Sequence, residues 1–322
     1  MTTQLPSPDT PLRIGTRGSP LALAQAHETR DRLATAFDLP HDAFDIVVIK
    51  TTGDRVLDRP LKEIGGKGLF TREIEDELLS GGIDIAVHSM KDMPVEQPAG
   101  LTLTTYLPRE DVRDAFVSSN FAGLGDLPEG AMVGTSSLRR KAQVLVRFPH
   151  LTVVEFRGNV QTRLKKLEDG VAACTFLAKA GLNRLGQSAV ARAAISPDEM
   201  LPAVAQGAIG IERRADDIRI AGMLEAIHHT ETGNRLAAER AFLAALDGSC
   251  ETPIAGLAEI DDATLRLRGE ILSPDGHASF ADELSGPVED GAAMGEALAR
   301  ALLDRAGPGF FDWRGTKKPQ AT

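Results

Sequence analysis

The chain has 322 residues, a formal net charge of −10, and 42% hydrophobic against 25% charged residues. That length exceeds one typical core and points to two or three domains, while the acidic balance excludes a nucleic-acid binder with a broad basic face but not a local basic cleft. No run of about 18 apolar residues could span a membrane, and the polar, Pro-rich start "MTTQLPSPDTP" has neither the charged nor the apolar part of a secretion signal, so a cytoplasmic chain without a membrane partner is expected.

In chain order, "LRIGT" (12–16) reads as a strand and 19–37 as a helix, with Ser19 as N-cap and Pro20 at its first position. "FDIVVIKT" (44–51) is a strand, 69–82 a helix stopped by Gly81 and Gly82, and "IDIAVHSM" (83–90) a strand. The charged, Gly-containing stretch 51–70 reads as a lid between them. Strand-then-helix units recur over 131–148, 152–170 and 172–186, and "GAIGIER" (207–213) adds one strand. This alternation predicts an α/β architecture with a largely parallel sheet. "RIGTRGSPLAL" and "MVGTSSLRRKA" share a plan of strand, Gly-Thr and hydroxyl-bearing turn, so two domains with similar starts are expected. A helix over 231–248, strand-like stretches over 253–284 and a last helix near 291–306 read as a small α+β domain.

The charge pattern singles out a crevice. Arg17, Arg139, Arg140 and Arg157 each follow a strand closely, where the sheet's C-terminal ends line ligand sites. Arginine in the first turn of a helix opposes the dipole, so its recurrence implies an anionic ligand. Guanidinium forks match carboxylate and phosphate alike, so the pattern says polyanion without saying which. "HSMKDMP" (88–94) puts Lys91 and Asp92 at a strand exit, where a carboxylate among cations stays ionised and can stabilise a developing cation or move a proton. His88 reads as a packed histidine, with no metal-ligand spacing around it. Of the two cysteines, Cys174 lies in an apolar run and reads as an inert buried thiol, whereas Cys250 sits in the Gly-Ser turn "DGSCETP".

"GTRGSPLAL", "GGKGLF", "DIAVHSMKDMP", "VGTSSLRR", "RGNVQTRL", "LAKAGLNRLG", "LPAVAQGAIGIE" and "GSCETPIAG" occur in order over about residues 12–260. Together they resemble the porphobilinogen deaminase family. The resemblance implies two type II periplasmic-binding-protein-like domains, residues 11–107 with 208–225 and residues 108–207, plus a small α+β domain over 226–315. It implies a dipyrromethane cofactor in thioether linkage to Cys250, a primer for adding four porphobilinogen molecules head to tail into hydroxymethylbilane with loss of ammonia. It further implies Asp92 as the catalytic carboxylate. Lys91, Ser89, Thr135, Ser136, Ser137, Arg139, Arg140 and Arg163 would bind the cofactor; Arg17, Ser19, Arg157 and Arg184 would bind the substrate. No metal is implied, and a monomer is expected.

One departure stands out: members often carry an acidic residue before the strand leading into "LAxAGL", where this chain has Ala173, with Lys179 near the helix start. The competing reading is a non-catalytic two-domain binder of an anionic small molecule. It accounts for the arginines but leaves the third domain, Asp92 and Cys250 without a purpose.

Overall fold

The computed structural model describes residues 5–55, 71–248 and 252–314. Strand β1 (Leu12–Arg17) leads into α1 (Pro20–Phe37), whose Ser19 cap accepts the Ala22 N–H at 3.3 Å and whose first residue is Pro20. A cap oxygen there satisfies one of the helix's orphan donors, and proline's fixed φ suits the first turn. β2 (Phe44–Ile49) lies parallel to β1. After one helical turn, Thr52–Arg55, the remainder of the expected lid, 56–70, falls outside the described residues. α2 (Arg72–Ser80) ends at Gly81 in the left-handed region (φ 79°). β3 (Ile85–Ser89), β4 (Leu101–Tyr106) and β10 (Ile209–Arg214) complete a sheet in the order β2-β1-β3-β10-β4, with β10 antiparallel to both neighbours.

A second sheet repeats this plan. β5 (Asp114–Val117), β6 (Met132–Gly134), β7 (Thr152–Val154), β8 (Cys174–Ala178) and β9 (Ala193–Ala194) run in the order β7-β6-β8-β5-β9. β5 takes the antiparallel place that β10 holds in the first sheet. β1 and β6, the two strands with rhyming sequences, occupy the same position, each between two parallel partners. This repeated order fits the two domains with similar starts expected from the sequence and the type II periplasmic-binding-protein-like pair that the resemblance implies. The helices of the second sheet are α3 (Leu138–Arg147), α4 (Val160–Glu168) and α5 (Lys179–Arg184). Cys174 is fully buried, and burial pushes its thiol up to about 12, which makes it inert.

Past α6 (Ile218–Glu225) and α7 (Thr230–Ala245), an antiparallel meander of β11 (Ile254–Asp261), β12 (Thr264–Leu272) and β13 (Ser279–Pro287) packs against α7 and α8 (Gly291–Ala306). Phe242, Leu236, Leu298 and Leu302 form its core and are fully buried. Cys250 lies just before β11 in the chain and falls outside the described residues.

One carboxylate ties the three parts together. Glu239 on α7 is fully buried and accepts from both Arg109 Nη1 (2.6 Å) and Nη2 (3.0 Å), from Ala205 N–H (2.6 Å) and from Ala258 N–H (2.8 Å). Arg109 and Ala205 sit on the two strands of chain that cross between the sheets, and Ala258 sits on β11. A buried charge with every lone pair engaged holds one geometry against alternatives.

Candidate active site

The sequence leads one to expect an anionic ligand opposite the arginines at the helix start after β6; the structure places an acid of the chain itself between them. Arg139 Nη2 donates to Asp114 Oδ2 and Arg140 Nη2 to Asp114 Oδ1, each at 2.8 Å, and Gln206 Nε2 reaches Oδ1 at 2.9 Å. Their second nitrogens go to carbonyls, Arg139 Nη1 to Leu201 and Arg140 Nη1 to Phe176. All three charged groups are buried. Burial alone would raise the Asp114 pKa, but the two guanidiniums outweigh it and hold the carboxyl far below the ordinary range. The unfavourable placement of two arginines in a first helical turn is thus partly offset from within the fold. The offset is incomplete: one carboxylate serves two guanidiniums, and both Nε atoms are buried without a partner among the described residues.

Further cations converge on the same place. Arg163 of α4 donates to the Gly158 carbonyl at 2.9 Å and to the Phe176 carbonyl, shared with Arg140, at 3.4 Å. Burial and the neighbouring Arg140 push its guanidinium down to about 10, against the pull of Glu155. Lys91, from the short turn Met90–Asp92 after β3, brings the first domain's charge to the site. Burial pushes its ammonium below the ordinary lysine value; Arg140 and Arg139 reinforce the shift, while Asp92 and Asp114 oppose it. Asp92 and Asp114 act on these cations from within the cluster, with Glu155 beside Arg163 and Glu270 beside Arg139. The Asp92 side chain is exposed at the rim of this region.

The hydroxyls line the same turns. Thr135 Oγ1 accepts the Ser137 N–H, Ser136 Oγ the Phe156 N–H, and Ser137 Oγ caps α3 by accepting from Arg140 N–H. Each oxygen used as an acceptor keeps its own proton to donate. Ser89 exchanges hydrogen bonds with buried Gln25. His88 is packed as expected, with Nε2 3.1 Å from Glu212 Oε2, and both residues are buried.

The remaining sequence candidates are not brought onto Asp114. Arg17 ends β1, Ser19 caps α1, and Arg157 Nε lies 3.8 Å from Glu155. Arg184 instead bridges the two α/β domains: its Nε meets Glu28 Oε2 of α1 at 3.2 Å and its Nη2 donates to the Gly207 carbonyl at 3.1 Å. Sequence reasoning missed Asp114 and Gln206. The available signal was a lone acid opening the apolar strand "DAFV".

Two family models match the chain: "Porphobilinogen deaminase, dipyromethane cofactor binding domain" over residues 12–222 and "Porphobilinogen deaminase, C-terminal domain" over 234–304. The chain belongs to the porphobilinogen deaminase family. A curated porphobilinogen deaminase from Paracoccus denitrificans is 70% identical over 311 residues, covering 97% of this chain and 99% of that protein. The chloroplastic porphobilinogen deaminase of Pisum sativum is 55% identical, covering 94% of this chain and 83% of its own length. Among solved structures, the methionine-binding protein MetQ aligns with 70% of this chain and 93% of its own at 12% identity and a TM-score of 0.41. As a member of the porphobilinogen deaminase family the chain is a transferase of tetrapyrrole biosynthesis that acts on porphobilinogen and uses a dipyrromethane cofactor.

The residues fit that cofactor. A dipyrromethane made from porphobilinogen carries an acetate and a propionate on each ring, so it is a polycarboxylate. The excess of cations over acids and the two orphaned Nε donors of Arg139 and Arg140 are what such a group would complement. Among the described residues no helix is long and apolar enough to cross a membrane.

Proposed function

We propose that Asp92 is the catalytic carboxylate and Cys250 the covalent anchor through which this chain joins four porphobilinogen molecules head to tail into hydroxymethylbilane. When bound, the dipyrromethane would supply the free pyrrole α-carbon that receives the first unit, each later unit joining the α-carbon of the one added before it. Lys91, Arg139, Arg140 and Arg163 hold its carboxylates, with Ser89, Thr135, Ser136 and Ser137 as further donors. Arg17, Ser19 and Arg157 take the carboxylates of the incoming substrate. Arg184 joins them by exchanging Glu28 for a substrate carboxylate. The excess of buried cation around Asp114 carries this assignment, because burying unpaired guanidinium is costly unless an anion arrives.

Asp92 acts on the substrate. As the amino group leaves as ammonia, positive charge spreads over the retained methylene and the pyrrole ring, and a carboxylate at its N–H stabilises that charge. After the new carbon–carbon bond forms, the same carboxylate helps carry away the proton lost from the attacking pyrrole α-carbon. We assign residues 11–107 with 208–225, 108–207 and 226–315 to the three domains, a division supported by the repeated strand order. The chain is assigned to the cytoplasm and to a monomeric state, which light scattering checks. A plain anion binder would need neither Asp92 nor Cys250.

The test is the intact mass of the parent chain beside Cys250→Ser, before and after incubation with porphobilinogen. Two linked pyrroles are expected on the parent and none on the variant. A parent that stays bare after incubation, or a variant that loads equally, overturns the assignment.

A further inference from the structure

Helix α3 carries the cofactor-facing Arg139 at its start, and the same face continues through Gln143 and Arg147 at four-residue intervals. Every member of this stripe reaches toward the third domain. Arg139 Nη1 and Gln143 Nε2 both donate to the Leu201 carbonyl, at 2.6 and 3.0 Å, and Gln143 Oε1 accepts the Leu201 N–H at 2.9 Å. The next residue, Pro202, accepts the Gly256 N–H of β11 at 3.1 Å, and Leu201 packs with Ala255 and Leu257. At the far end Arg147 Nη2 lies 3.0 and 2.9 Å from the two oxygens of Glu270 on β12, and Ser279 Oγ donates to Glu270 at 2.7 Å. Glu270 pairs across the sheet with Ala255, five residues after Cys250 in the chain. The β12–β13 turn also rests on α3: a Cβ at Gly276 would stand 2.5 Å from Leu145 Cβ.

We infer that the Arg147–Glu270 pair is a positioning device that fixes the cysteine-bearing domain against the helix whose first turn grips the primer. Glu270 is 2% exposed, and Arg147 Nη1 is buried without a partner among the described residues. An apolar pair of similar volume would stabilise such an interface at least as well. An ion pair instead admits one register, because each displaced alternative leaves a buried charge unmatched. The requirement is geometric: a primer tethered at one end and held by arginines at the other is correctly placed only if the two supports keep a fixed separation. This inference rests on Cys250 being the anchor.

The experiment loads cofactor-free chain with porphobilinogen and follows intact mass with time, for the parent, Glu270→Gln, Arg147→Met and Arg147→Lys. Thermal unfolding of each is recorded first, and loading is measured well below the lowest transition. Glu270→Gln and Arg147→Met should load on the order of ten-fold more slowly than the parent, the scale set by sub-ångström misplacement of reacting groups. Arg147→Lys should recover part of the rate. Folded variants that load at the parent's rate overturn the positioning role and leave the anchor assignment standing. A parent that never gains mass overturns both.

Discussion

Asp114→Asn tests the charge balance on which the site is built. The substitution keeps the shape but turns one oxygen into an amide nitrogen. Oδ1 now accepts from Arg140 and Gln206, and Oδ2 from Arg139, so whichever oxygen is lost sets a donor against a donor. Breaking a buried ion pair from one side costs about 3–5 kcal/mol, because the partner stays buried and uncompensated. At about 2–4 °C per kcal/mol for a large domain, the unfolding midpoint of the cofactor-free chain should fall by roughly 10 °C at pH 7. The pH dependence follows from the depressed pKa of Asp114 in the folded chain. Its stabilisation is fully present above the unfolded value of about 4 and is lost as pH falls from there toward the folded value. Calorimetry of parent and variant from pH 7 to pH 3 should therefore show a constant gap that narrows only below about pH 4. The primer's carboxylates replace part of the missing charge, so cofactor-loaded chains should differ by less than cofactor-free ones. An unchanged midpoint at neutral pH, or a gap that persists undiminished in acid, refutes the reasoning.

Asp92→Ala should unfold within about 0.5 kcal/mol of the parent, since the side chain is exposed. Its turnover of porphobilinogen should fall by at least about 10²-fold in a stopped ammonia assay. Lys91→Arg should move the alkaline fall of activity to higher pH, because the desolvated ammonium loses its proton below the ordinary lysine value whereas a guanidinium there keeps its own. Gly207→Ala should lower the unfolding midpoint, since Gly207 has φ 88° and an added Cβ would stand 2.5 Å from the Glu110 carbonyl oxygen. Glu239→Gln should cost about 3–5 kcal/mol in denaturant unfolding, as Arg109 would lose its only carboxylate contact among the described residues.

Local chemistry made much of the fold legible. Ser19 followed by Pro20 marked the start of α1, and Gly81 marked the end of α2, because caps act within one turn of chain. The last helix was read over 291–306 and is found at Gly291–Ala306. The strands around the crossing were not individually legible. β5 has four residues and β9 two, too short for periodicity to declare, and their places depend on partners distant in sequence. Ala173, where the resemblance leads one to expect an acidic residue, is held through its backbone. Its N–H donates to the Met132 carbonyl and its carbonyl accepts from Ser118 Oγ at 2.7 Å, so backbone contacts fix the start of β8.

The candidate site was legible as a set of charges but not as a balance. Arginine in a first helical turn signals a missing anion, and that inference survives in the orphaned Nε atoms of Arg139 and Arg140. It overstated the vacancy, because Asp114 lies 25 and 26 residues away in sequence yet takes one nitrogen from each. The partner of Arg184 was hidden for the same reason. Its pairing with Glu28, 156 residues away, exists only once α1 and α5 are packed together. A side chain's type declares what it can bind, whereas its partner is set by topology. The two kinds of arginine separate only when the remaining donors are counted: those around Asp114 keep buried donors to spare, and Arg184 makes its contacts across the domain boundary. A ligand carboxylate should therefore stabilise the Asp114 cluster directly but must compete with Glu28 at Arg184. Glu28→Gln should lower KM for porphobilinogen if Arg184 serves the substrate, and an unchanged or higher KM would leave Arg184 as an interdomain strut.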